Sequence, residues 1–156
     1  MNLVKNFGYV FLFISVLILE LLFGTLTEFT DFKVLPFLIL LFFISSKRFS
    51  NSFVYAYFFS GIYYDLFYTS NYFGTTSAKY ITLGIIVNYI YSKLDSSIYS
   101  EYLTFLLAVL IYNYEIIIYS PSLNSILVIL SISIINYFLF KLINITLKRD
   151  VFKKTI

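Results

Sequence analysis

Cysteine and histidine are both absent from this chain of 156 residues. Without cysteine there is no disulfide framework and no thiol nucleophile. Without histidine the usual metal ligand and the usual neutral-pH general base are missing. Charge is also scarce, at 12% of residues, where a soluble domain averages about 25%. That supply is too small to clothe a water-exposed surface. No Walker loop, G-x-S-x-G elbow or H-E-x-x-H is present, and the lysines are scattered rather than patched. The chain therefore reads as a protein without catalysis, cofactor, metal or nucleic-acid binding.

Apolar residues fill the space that charge leaves. They make up 60% of the chain, and the mean hydropathy is +0.89. Six apolar runs can be traced, over 7–26, 33–46, 52–68, 78–92, 99–119 and 125–147. They are long and do not alternate, and lipid demands that a spanning segment satisfy its own backbone hydrogen bonds, so helices are expected. The expected fold is an all-α integral membrane protein, a compact six-helix bundle forming one transmembrane domain over 1–156. The first run carries Glu20 and lacks a small-x-small cleavage site, so it reads as an uncleaved helix. The second is short: 33–46 extends only about 21 Å as a helix, and could tilt little, thin the bilayer locally or enter without fully crossing, although the alternation of basic breaks along the chain favours a true crossing. The turn signal Ser120-Pro121-Ser122 ends the fifth.

The polar breaks carry an orientation. Lys5, Lys47, Arg48, Lys93, Lys148, Arg149, Lys153 and Lys154 fall on one side. Glu28, Asp31, Lys33, the stretch 69–77 and 120–124 fall on the other. The basic side is cytoplasmic by the positive-inside rule, which places both termini in the cytoplasm and the chain, multi-pass, in a bacterial inner membrane. The basic carboxyl end reads as a stop signal and a contact for anionic membrane lipid.

A few polar residues stand out within the helices. Gly61 and Asp65 are four apart and share a face. Glycine admits a close neighbouring backbone, and an intramembrane carboxylate is retained for a reason. Lys79 should return to the depth of Asp65 and pair with it. Asp65 could instead cap loop amides, and either arrangement fixes a hairpin of the third and fourth helices. Gly74 suits a tight or left-handed turn, and Thr75, Thr76 or Ser77 could cap the helix behind it. Glu20 and Glu115 lie toward the outer half and are expected to snorkel to the interface and to bond Asn, Tyr and Ser neighbours. Together with Asp65 they also make a cation or proton path conceivable. Asn88, Asn113 and Asn136 are expected to hydrogen-bond between helices. Tyr63, Tyr64, Tyr68, Tyr72, Tyr80 and Tyr91 read as interfacial belts.

Gly61, Asp65 and Leu66 form a G-x-x-x-D-L pattern, followed by Gly74 and by an apolar helix that closes on Tyr89-Ile90-Tyr91-Ser92-Lys93. This resembles the MreD family of rod shape-determining proteins. The sequence likeness covers 57–93, and the layout of helices and basic ends covers the whole chain. Asn71-Tyr72-Phe73 before Gly74 departs from the small residue or proline often found in that family. The resemblance implies a non-catalytic component of the cell-elongation complex that regulates cell shape. Such a protein would bind a bitopic MreC-like partner and link it to lateral peptidoglycan synthesis for cell wall elongation. The MreB filament, RodA and a class B penicillin-binding protein would be indirect partners. It also implies a fold similar to the substrate-binding component of energy-coupling-factor transporters. Gly61, Asp65, Leu66 and Gly74, with Lys79, would then form a partner-contact or fold motif. The alternative is such a vitamin transporter component itself, although Ala56, Ala78 and Ala108 are not spaced as its small-x-x-x-small docking motifs.

Overall fold

The computed structural model describes residues 2–26, 33–47, 50–68, 72–93, 97–119 and 121–153, with side chains described from 7 to 146 within these segments. Glu28, Asp31, Arg48, Ser120, Lys154 and positions 69–71 lie outside them, as do the side chains of Lys5, Lys148, Arg149 and Lys153. All the regular structure described is helical: α1 (Asn2–Leu26), α2 (Pro36–Lys47), α3 (Asn51–Tyr68), α4 (Thr75–Lys93), α5 (Ile98–Tyr112), α6 (Tyr114–Tyr119) and α7 (Leu123–Lys153).

The helix ends follow local chemistry. Ser97 caps α5 by accepting the Ser100 N–H at 3.2 Å, and Ser122 does the same for α7 through Ser125 N–H at 3.2 Å. Gly74 holds φ +93° ahead of α4, the left-handed turn that its sequence position suggested. Lys33–Leu35 is not helical and α2 begins at Pro36, three residues later than the apolar run. Proline excludes the helical region for the residue before it and is well suited to the first helical position itself.

The fifth run is not one helix. Asn113 C-caps α5 at φ −108°, ψ 27°, with its N–H on Val109 O. Its side-chain amide also donates to Val109 O at 3.0 Å, so the expected inter-helix bond of Asn113 is spent inside its own helix. The chain resumes as the short α6, giving seven helices among the described residues in place of the six expected.

Helix α2 sits at the centre, against α1, α4, α5 and α7. Around it the others form an arc in the order α1, α3, α4, α5, α7, with α6 on α7. Phe37, Leu38, Leu41, Phe42 and Ser45 of α2 are fully buried. The Phe42 ring meets Phe105 at 4.9 Å and Phe140 at 5.1 Å, both edge-on. Phe37 joins Phe13 of α1 to Tyr80 of α4. Each such ring pair contributes about 0.5–1.5 kcal/mol beyond the area it covers.

Two helices, Phe7–Leu26 and Leu123–Thr146, are long and apolar enough to cross a membrane. Only 17% and 28% of their most apolar windows are buried, so their apolarity faces outward rather than into a core. Phe11 is 76% exposed, and Leu103, Ile118 and Phe138 are similarly bare. An apolar exterior around a core holding Glu20, Asp65 and Asn136 inverts the usual arrangement in water.

Candidate functional site

Helix α2 starts inside the bundle, where its free N–H groups have no water to meet. Two buried side chains from other helices meet them. Glu20 of α1 accepts the Phe37 N–H at 2.8 Å. Asn136 of α7 accepts the Leu35 N–H at 2.7 Å and donates to Lys33 O and to its own Ile132 O, both at 2.8 Å. A carboxylate at a helix N-terminus also meets the positive end of the helix dipole. The second oxygen of Glu20 accepts from the Tyr112 hydroxyl at the end of α5. Glu20 is therefore buried rather than snorkelling, while the expected bond to a tyrosine neighbour is made. It lies six residues before Leu26, so α2 begins about 9 Å short of the carboxyl-terminal end of α1. This is the physical account of the short second helix: irregular backbone is tolerated at such a depth when protein groups satisfy it.

Around Tyr112 the polar layer continues. Its ring stacks on Tyr80 at 5.8 Å and 7°, so Tyr80 belongs to the core and not to an interfacial belt. Lys79 lies 3.7 Å from the Glu115 carboxylate, donates to Tyr112 O at 3.4 Å, and rests within 6 Å of the Tyr80, Tyr112 and Tyr114 ring centres.

The expected Asp65–Lys79 pair is replaced by a different arrangement. Lys79 is drawn to Glu115 of α6, while Asp65 accepts the Gly74 N–H at 2.8 Å and the Thr76 N–H at 3.3 Å. Asp65 thus caps α4 from the end of α3, in place of the adjacent hydroxyls. Ser77 is free of that duty and donates to Phe58 O of α3 at 2.8 Å. Gly61 faces Ser77 so closely that a Cβ there would lie 2.3 Å from the Ser77 Cα and N. Gly61, Asp65, Gly74, Thr76 and Ser77 therefore form one joint between α3 and α4. Gly61 and Asp65 are buried in it. Leu66, one position on, is 61% exposed.

A second polar cluster lies at the opposite end of the bundle. Glu101 of α5 pairs with Lys141 of α7 and accepts from the Tyr91 hydroxyl at 2.6 Å and the Tyr137 hydroxyl at 3.1 Å. Sequence reasoning passed over Glu101. Its signal was available: a carboxylate in the first turn of a helix, opposite a lysine well inside another apolar run. Among the described residues no group of three or more acidic side chains is arranged to hold a metal.

The chain matches no family model, no curated protein and no solved structure. The arrangement of its own residues is what bears on function. The polar groups named above bond one another and the ends of helices.

Proposed function

We propose that this chain is a multi-pass protein of a bacterial inner membrane, with both termini cytoplasmic, that acts by binding rather than catalysis. In this reading it is an MreD-like component of the elongation complex, holding an MreC-like single-helix partner beside the machinery of lateral wall synthesis. The observation that carries the reading is the α3–α4 joint. Gly61 and Asp65 of the G-x-x-x-D-L pattern and its following glycine meet in one place, with Gly61 on Ser77 and Asp65 on the Gly74 and Thr76 amides, while Leu66 faces outward. The pattern so becomes a structural device, which is what a shared fold would preserve. The apolar exterior supports the membrane assignment. With little mass outside the bundle, a partner must be met along lateral helix faces such as that of Leu66.

Depletion of the protein from its native host tests this reading. Widened or rounded cells with dispersed sites of new wall synthesis are the expected result. Normal rods that acquire a vitamin requirement would overturn it in favour of a transporter component, and normal rods without one would overturn both.

A further inference from the structure

The outward side of α4 differs from those of the long flanking helices. On α1 the exposed residues include Phe11, Leu19 and Leu22, and on α7 Leu127, Ile134 and Phe138. α4 turns Tyr80, Leu83 and Val87 into the bundle. It leaves Thr82, Ile85 and Ser92 exposed, with Asn88 half-buried at the edge of this face. Asn88 also stands apart from the other amides within the helices. Asn113 and Asn136 donate to carbonyls of the chain, and Asn144 accepts from Lys47. The Asn88 side chain makes no hydrogen bond among the described residues. It lies five residues before Lys93, about 7.5 Å inside the end of α4. The inter-helix bond expected of Asn88 is therefore not made within one chain.

We propose that this face of α4 is the contact between two copies of the chain, related by a two-fold axis along the membrane normal and joined by their Asn88 amides. The spacing fits a helix pair. Ile81, Ile85, Asn88 and Ser92 recur at intervals of four, three and four, the period at which one helix face keeps meeting its mate. An asparagine at one such position fixes register and the number of helices. Hydrogen-bonding chemistry selects the occupant. Hydrocarbon offers the amide neither donor nor acceptor, whereas helix pairs in membranes are joined by such side chains. A carboxamide both donates and accepts, so it is complementary to itself. Two copies inserted in one orientation bring Asn88 to the same depth. The two-fold axis then sets each residue of the face opposite its own counterpart. The pairing rests on the membrane reading but not on the assignment to an elongation complex.

The test is disulfide trapping of the full chain in native membranes, where the absence of cysteine removes any background from the chain itself. Ile85→Cys, at the centre of the face, is expected to give a species of twice the chain mass on oxidation. Phe138→Cys, also exposed but on α7, is not. Adding Asn88→Leu to Ile85→Cys keeps the size of the side chain and removes its donors and acceptor. It should lower the trapped fraction about fivefold, the effect of one inter-helix polar contact. Asn88→Gln keeps both functions and should retain most of the trapping. Equal trapping at positions 85 and 138, or trapping indifferent to Asn88→Leu, overturns the pairing. A cross-linked product that contains a different protein overturns it also. The comparison of Ile85→Cys with Phe138→Cys retains Asn88, so it decides the face even where Asn88→Leu fails to fold. Carbonate extraction separates the two readings: release of the chain from the membranes removes the membrane assignment, whereas a retained chain without a trapped dimer removes only the pair.

Discussion

Glu20 accepts the backbone N–H of Phe37 at 2.8 Å, so a carboxylate of α1 closes the buried first turn of α2. The acceptor could not be supplied locally, because α2 opens with Pro36 and the preceding Lys33-Val34-Leu35 offers no side-chain acceptor. A distant residue therefore does the work usually given to an N-cap. Glu20→Ala would strand the Phe37 amide and the Tyr112 hydroxyl together. Each buried polar group left without its partner costs about 1–3 kcal/mol. Thermal unfolding in detergent, followed by tyrosine fluorescence, should show a clear loss of stability, with Tyr112→Phe milder than Glu20→Ala. An unchanged midpoint in Glu20→Ala would remove Glu20 from the support of α2.

Gly61→Ala is expected to break the α3–α4 joint. The added carbon would meet backbone, at 2.3 Å from the Ser77 Cα and N, and backbone cannot rotate aside as a side-chain tip can. Gly8→Ala and Gly24→Ala are matched controls, since a Cβ at either position meets nothing within 4 Å. The Gly61 variant should fail to elute as a single species, while the controls behave as wild type. Monodisperse, wild-type-like Gly61→Ala would show that α3 and α4 do not approach so closely.

At the same joint, Asp65→Ala removes the acceptor for two amides, and Gly74→Ala forces an L side chain to φ +93°. The two changes act on one turn, so their effects should not add. A double variant is expected to lose less stability than the sum of the singles, read from the same unfolding midpoints. Strict additivity would mean that Asp65 acts somewhere other than on the Gly74 turn.

The sequence shows some of these features and hides others for identifiable reasons. The apolar runs are legible because each helix carries its own length and composition, and the ends at Ser97 and Ser122 follow from capping chemistry a few residues away. The break at Asn113 is not legible, because asparagine within an apolar run serves equally for an inter-helix bond or a C-cap. Partners of charged groups are hidden for another reason. Lys79 lies 14 positions after Asp65 and 36 before Glu115, and depth alone favours the nearer carboxylate. The nearer one is already held by the Gly74 and Thr76 amides. The Asp65 cap was open as a sequence alternative, and the geometry selects it.

Glu101 and Lys141 offer a cleaner electrostatic test than Lys79 and Glu115. The Glu101 side chain is 13% exposed against 44% for Glu115, and it also receives the Tyr91 and Tyr137 hydroxyls. Solvent or headgroup screening weakens exposed pairs to about 0–1 kcal/mol. Lys141→Met should therefore destabilise the protein more than Lys79→Met. Exchanging the charges, Glu101→Lys with Lys141→Glu, should recover part of the loss. The two tyrosine hydroxyls favour an acceptor at position 101, so recovery should remain incomplete. Equal losses in the two lysine variants would mean that burial does not govern these pairs.

The absence of cysteine makes the chain its own background for topology mapping, because every introduced thiol is the single one present. Phe73 and Tyr119 are exposed at one set of helix ends, Lys93 and Ile98 at the other. α4 and α5, with α6 continuing to Tyr119, connect these sets. α4 alone extends about 28 Å at 1.5 Å per residue, close to the thickness of about 30 Å of a hydrocarbon core. A membrane-impermeant maleimide applied to intact cells should label Phe73→Cys and Tyr119→Cys. Lys93→Cys and Ile98→Cys should label only after permeabilisation. The opposite pattern would invert the orientation drawn from the lysines while keeping the crossings. Labelling of all four from outside would remove the crossings themselves, and with them the reason for α2 to begin below the surface under the carboxylate of Glu20.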